Sequence, residues 1–183
     1  MNRKAFLARS IGGLAGCCAA AALGASALVE AEEGQASAPD KEKQFIQDWL
    51  ADLMDAVDRQ SDEAVKARLI GACGRACFER HAFKRNMPVA GRGDVDKLIE
   101  ALKASFEAWR EGSTVHVRFG AVSPGCYCPA ARYRPPKPND LHCHCSRGSH
   151  QAIWETELGR PVRVEILESV RRGGKTCHFL VHL

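Results

Sequence analysis

Thr114-Val115-His116-Val117-Arg118-Phe119 is the stretch where the chain changes its period. Val115, Val117 and Phe119 alternate with His116 and Arg118, the two-residue repeat of a strand with one buried face. Further along, Val162, Val164 and Ile166 alternate with Arg163 and Glu165, and Cys177, Phe179 and Val181 share one face of a last strand over 176–183. Between these lies a segment from Arg147 to Leu158 that reads as a helix, with Ser146 as its cap and Gly159 and Pro161 as its stop. Leu141 to Cys145 reads as a short extended segment before it.

Toward the N-terminus the repeat is that of a helix. Phe45, Ile46, Trp49, Leu50, Leu53, Met54 and Val57 form one apolar stripe. Ser61 is the expected cap of a second helix, with Val65, Leu69, Cys73 and Cys77 inward. Phe83 to Gly93 reads as a loop because of Pro88, Gly91 and Gly93. Asp94 caps a third helix whose inward residues run from Val95 through Leu98, Ile99, Leu102 and Phe106 to Trp109, with Gly112 closing it. The expectation is an α+β fold: N-terminal helices packed on an antiparallel sheet, ending helix-strand-strand.

Residues 1–31 read as an export signal, 32–43 as a flexible tether and 44–183 as one domain. Arg3, Lys4 and Arg9 precede an uncharged Ala- and Gly-rich run from Ile11 to Val29, with small-residue cleavage sites at Ala25-Ser26-Ala27 and Val29-Glu30-Ala31. Asn2-Arg3-Lys4-Ala5-Phe6-Leu7 is similar to a twin-arginine signal with Lys in the second place; the Sec route is the alternative. Leu14-Ala15-Gly16-Cys17 is similar to a lipoprotein box, so the expected site is periplasmic or otherwise extracytoplasmic, with membrane attachment only through a lipid on Cys17.

Composition narrows the function classes. Of 183 residues 45% are apolar and 26% charged, which excludes a disordered chain. A net charge of +4 with sparse aromatic interleaving points away from nucleic acid. Neither a phosphate-cradling Gly-rich loop nor Gly-x-Ser-x-Gly occurs. The basic residues group as Lys84, Arg85 and Arg92; Arg132, Arg134 and Lys137; and Arg171, Arg172 and Lys175. Should these loops converge, they favour a small anionic or carboxylate ligand; ordinary solvated loop charge is the alternative.

Nine Cys and seven His set this chain apart. Beyond the signal the cysteines are Cys73, Cys77, Cys126, Cys128, Cys143, Cys145 and Cys177. Cys73 and Cys77 share a helix face, and each Cys-x-Cys pair sends two sulfurs the same way from an extended segment. Such a set suits a thiolate metal site, zinc first. Disulfides between pairs are the alternative in an oxidising compartment, though the odd number leaves one thiol over, and some of these residues are alternatively plain core. Cys145 before a helix N-terminus equally suits a nucleophile, with His144, His142 or His150 as its base. His116, His178 and His182 alternate on strands and are expected to face solvent, and Cys177 to face the core.

The run Cys143-His144-Cys145-Ser146-Arg147-Gly148 is followed by Trp154-Glu155, Leu158-Gly159, Pro161-Val162, Val164-Glu165, Glu168-Ser169, Gly173 and Cys177-x-Phe179. It resembles a Cys-rich bacterial family related to 4-vinyl reductase domains and to L-2-amino-thiazoline-4-carboxylic acid hydrolase-like proteins. Cys73-Gly74-Arg75-x-Cys77 resembles that family's upstream motif, so the likeness covers about residues 65 to 183. It implies a small-molecule-binding α+β domain with a structural zinc held by Cys and an acidic residue, adding Glu168 to Cys177 and the other thiols. Three functions stay open: a metal-stabilised binding module, a hydrolase of small C–N or C–S compounds using Cys145 or metal-bound water, and an envelope thiol/disulfide protein.

Overall fold

The structure is a computed structural model that describes residues 38–89, 93–131 and 133–183. The expected export signal, Cys17, Arg92 and Arg132 lie outside the described residues. The element order is α1 (Ala38–Gln60), α2 (Glu63–Arg80), α3 (Ala82–Val89), α4 (Val95–Leu102), β1 (Glu107–Glu111), β2 (Thr114–Arg118), α5 (Cys143–Leu158), β3 (Arg163–Glu168) and β4 (His178–His182). The four strands form one antiparallel sheet in the order β1-β2-β4-β3, so the fold is α+β. No helix among the described residues is long and apolar enough to cross a membrane.

The strands alternate as read. Val115 and Val117 pair with Val181 and Phe179, and all four are buried. They meet Leu98 and Leu102 of α4, Phe78 of α2 and Trp154 of α5 in one core. Asp94 caps α4 by accepting the backbone N–H groups of Asp96 and Lys97, as expected. Gly159 ends α5 at φ 66°.

Several elements depart from the sequence reading. The third helix stops at Leu102; Trp109 stands on a strand, opposite His116. Gly112 (φ 58°) is the first residue of the two-residue loop joining β1 to β2. Both a helix C′ and a hairpin loop demand the left-handed conformation, so the glycine alone does not separate them. Phe83 to Gly93 is no loop throughout: Ala82–Val89 is a helix. The expected tether is helical from Ala38. Asp62, not Ser61, caps α2, its carboxylate accepting the Val65 N–H at 2.8 Å.

Two helix faces differ as well. Met54 of α1 is buried against Ile70 and Leu141, but Phe45, Ile46, Trp49 and Leu53 stay exposed, Phe45 by 72%. The C-terminal half of the stripe reaches the body while its N-terminal half is uncovered. In α2 the buried residues are Ile70, Gly71, Gly74 and Phe78 rather than Val65, Leu69, Cys73 and Cys77. The reason is close backbone approach. A Cβ on Gly74 would run into the Cys145 carbonyl oxygen, and one on Gly148 into that of Gly71. Glycines on both helices let α2 and α5 pack main chain to main chain, and this sets the face.

Candidate functional site

The site is built on the loop between β2 and α5. Asp140, fully buried, anchors it. Its Oδ1 accepts from Arg134 Nη2 at 2.6 Å and from the His142 backbone N–H at 2.9 Å; its Oδ2 accepts from Arg171 Nε at 2.9 Å and Nη2 at 2.7 Å. Arg171 also donates to the carbonyls of Ala131, Arg134 and Pro135. That uses every guanidinium N–H, so Arg171 has no donor left for a ligand.

The basic loops at 134–137 and 171–172 therefore do converge, but on acidic side chains of the chain itself. Arg134 and Lys137 reach Asp55, Lys137 also reaches Asp58, and Arg172 donates to the Asp140 carbonyl. Lys137 holds the Asp58 carboxyl below its usual range, with Lys66 adding to the effect. Asp55 is lowered too; its partial desolvation opposes this, and Lys137 and Arg134 outweigh it. The attraction for an anion that convergence of the loops would create is thus largely neutralised from within.

A cleft of about 470 Å³ opens beside this anchor. Cys126, Tyr127, Pro136 and Val170 line it together with Arg134 and Arg171. Arg134 spends one N–H each on Asp55 and Asp140, which leaves it further donors.

The seven cysteines among the described residues are free thiols. Each lies close enough to another for their charges to interact. Burial pushes the Cys145 thiol up to about 12, with Cys128, Cys77 and Cys73 adding repulsion. Burial raises Cys126; the Cys128 backbone N–H opposes this, and the Cys128 and Cys177 thiols add a smaller push upward. Cys143 is raised by burial, with a smaller push from Cys177; its Sγ lies 3.0 Å from Ser169 Oγ. The thiols thus form a belt of electrostatic neighbours, each interacting with the next, from Cys73 and Cys77 through Cys145, Cys128, Cys126 and Cys177 to Cys143. Among the described residues, no group of three or more His, Cys, Asp or Glu converges as metal ligands.

Helix α5 begins at Cys143, not after Ser146. This corrects the parallel-sulfur reading of Cys143 and Cys145: two helical positions apart, side chains diverge by about 200°. Cys143 turns to Ser169 and Cys177, and Cys145 to the α2 thiols. The nucleophile reading loses support on the same geometry. Cys145 is raised rather than lowered, and His144 Nε2 is engaged 2.7 Å from Glu63 Oε1. His142 and His150 are pushed down to about 4, chiefly by burial, so both are neutral at pH 7. His150 sits among Phe106, Phe119 and Phe179 as a core residue. Glu168 is occupied in pinning the turn before β4, its Oε1 accepting the Lys175 N–H at 2.6 Å. Cys177 packs against the core, as its strand face suggested, while also closing the belt.

Some of the site was missed. Asp140 sits in a Pro-rich loop with no local pattern to mark it. Lys84 Nζ donates to Cys77 Sγ at 3.3 Å and Ser149 Oγ at 3.0 Å, a contact possible only because 82–89 is helical. His116 and His178 are not simply solvated: both are half-buried on the outer sheet face, ring nitrogens 2.9 Å apart.

No protein-family model matches the chain, and no curated protein matches it in sequence. Solved structures similar in fold include a trafficking protein particle complex subunit 3 from Naegleria fowleri covalently bound to palmitic acid. That match has 12% identity and a TM-score of 0.45 over 79% of this chain and 96% of the other. Another is the phenol-responsive sensory domain of the transcription activator PoxR with phenol, at 11% identity and TM-score 0.41 over 75% and 72%. At these TM-scores neither likeness transfers a ligand, and neither names a 4-vinyl reductase or thiazoline hydrolase.

Proposed function

We propose that the chain is an exported, metal-stabilised module that binds a small molecule in the cleft beside Asp140. One observation carries this reading: Cys126 belongs both to the cleft wall and to the continuous belt of free thiols. Neighbouring, mostly half-buried thiols repel one another on ionisation, and a cation relieves that repulsion. Cys126, Cys128, Cys177 and Cys143 are neighbours along the belt, and their sulfur donors suit zinc. Bound there, zinc would tie the 120–142 loop to the start of α5 and to β4. It would thereby hold the cleft open in one shape.

The lining suits a small body with an apolar or aromatic face, packed on Tyr127, Pro136 and Val170. A carboxylate on that body would find the remaining Arg134 donors. Benzoate is a suitable probe. It is expected to raise the thermal midpoint of the zinc-loaded protein in proportion to the logarithm of its concentration above Kd, by a few degrees at about a hundred-fold excess over Kd. Val170→Trp fills the cleft and is expected to abolish that shift while keeping zinc and fold. An unchanged shift in Val170→Trp, or none in either protein, overturns the cleft assignment.

A further inference from the structure

We infer that His116 and His178 form a two-imidazole site for a divalent transition cation, Cu(II) or Ni(II), on the outer face of the sheet. The site is separate from the thiols and from the cleft. His116 on β2 and His178 on β4 are diagonal neighbours, since His116 pairs with Leu180 and Arg118 with His178. His116 Nδ1 and His178 Nε2 lie 2.9 Å apart.

A nearby carboxylate favours one tautomer of His116. His116 Nε2 faces Glu111 Oε2 at 3.4 Å. With the proton on that nitrogen, Nδ1 keeps its lone pair toward His178. A carboxylate behind a ligating imidazole is the usual outer support of a metal-binding histidine. Glu111 is itself held, accepting from Trp109 Nε1 at 2.8 Å. The Trp109 ring stacks on His116, centroids 4.7 Å apart and 3° from parallel, which fixes the imidazole plane.

Separation and charge agree with a cation. Two nitrogens 2.9 Å apart, each about 2.0–2.1 Å from one metal, subtend about 90°. That angle fits the tetragonal coordination of Cu(II) or Ni(II) better than tetrahedral zinc. Among the described residues, Glu111 faces His116 and Glu107 and Glu168 act on His178, against the cation Arg118, which is ion-paired to Glu107. Metal binding at His178 Nε2 moves the proton held there, through solvent, to His178 Nδ1, and water fills the other coordination positions. The two nitrogens are the protein's share, in keeping with the absence of a three-donor group among the described residues.

The experiment is a Ni(II) titration of tag-free, zinc-loaded protein, followed by calorimetry and tryptophan fluorescence. The expected result is one saturable site that quenches the Trp109 emission. His116→Asn and His178→Asn, each on the solvent side of the sheet, should lose the site and keep wild-type thermal unfolding. Glu111→Gln should weaken it about ten-fold or more. Trp109→Phe should keep the heat and lose the quenching. If one histidine variant fails to fold, the other decides. No saturable binding by the wild type overturns the inference, as does binding that survives in the histidine variants.

Discussion

Asp140→Asn is expected to cost the fold about 3–5 kcal/mol, measured by urea unfolding at pH 7. The carboxylate has no exposure and accepts from two guanidinium groups. Neutralising it leaves Arg171 buried with no counter-ion, because the other Arg171 partners are backbone carbonyls. Arg134 keeps Asp55. A domain of this size has about 5–15 kcal/mol in all, so the variant should be marginal at 37 °C. The cleft should be lost before the sheet melts, since the same network holds the 129–142 loop. A cost under about 1 kcal/mol would mean that the network contributes little net stability.

Gly74→Ala is the second large effect. On an ordinary helix surface this change would gain up to about 1 kcal/mol from propensity. Here the new methyl meets the Cys145 carbonyl oxygen and the Ser149 backbone nitrogen. Backbone cannot step aside as a flexible side chain can, so a net loss of about 3 kcal/mol is expected. Gly71→Ala is the internal control. A Cβ there has its nearest neighbours at 3.8 Å, ordinary contact distance, and should be neutral or mildly stabilising. Equal effects from the two would contradict the main-chain packing of α2 on α5.

The fold class was legible because it rests on periods. The alternation at 115–119 and 178–182 and the Asp94 cap survive intact in β2, β4 and α4. What was not legible depended on partners distant in sequence. The apolar stripe of α2 pointed to Leu69 and Cys73, yet two glycines set the buried face because α5 needed room. The stripe of α1 was read as core, but nothing local says that only Met54 and its neighbours meet Ile70 and Leu141. The helix over 82–89 was hidden by the turn-forming residues at its end.

The candidate site divides the same way. That the cysteines belong together was visible in their grouping. Their order along the belt was not, because it follows from α5 starting at Cys143 and sending Cys143 and Cys145 to opposite sides. Arg171 looked like a loop cation for an anionic ligand; it is a saturated structural hub, and only Asp140, thirty-one residues away, reveals this. His116 and His178 lie 62 residues apart, so their meeting needed the β2–β4 register.

The central claim is that the thiols act together as metal ligands. It is tested most directly by metal analysis beside thiol counting, on protein purified from its native compartment without added metal. About one zinc per chain is expected, with about three or four thiols that react only after chelation. Protein with no metal and few free thiols would contradict it, and the belt would then be a set of disulfides.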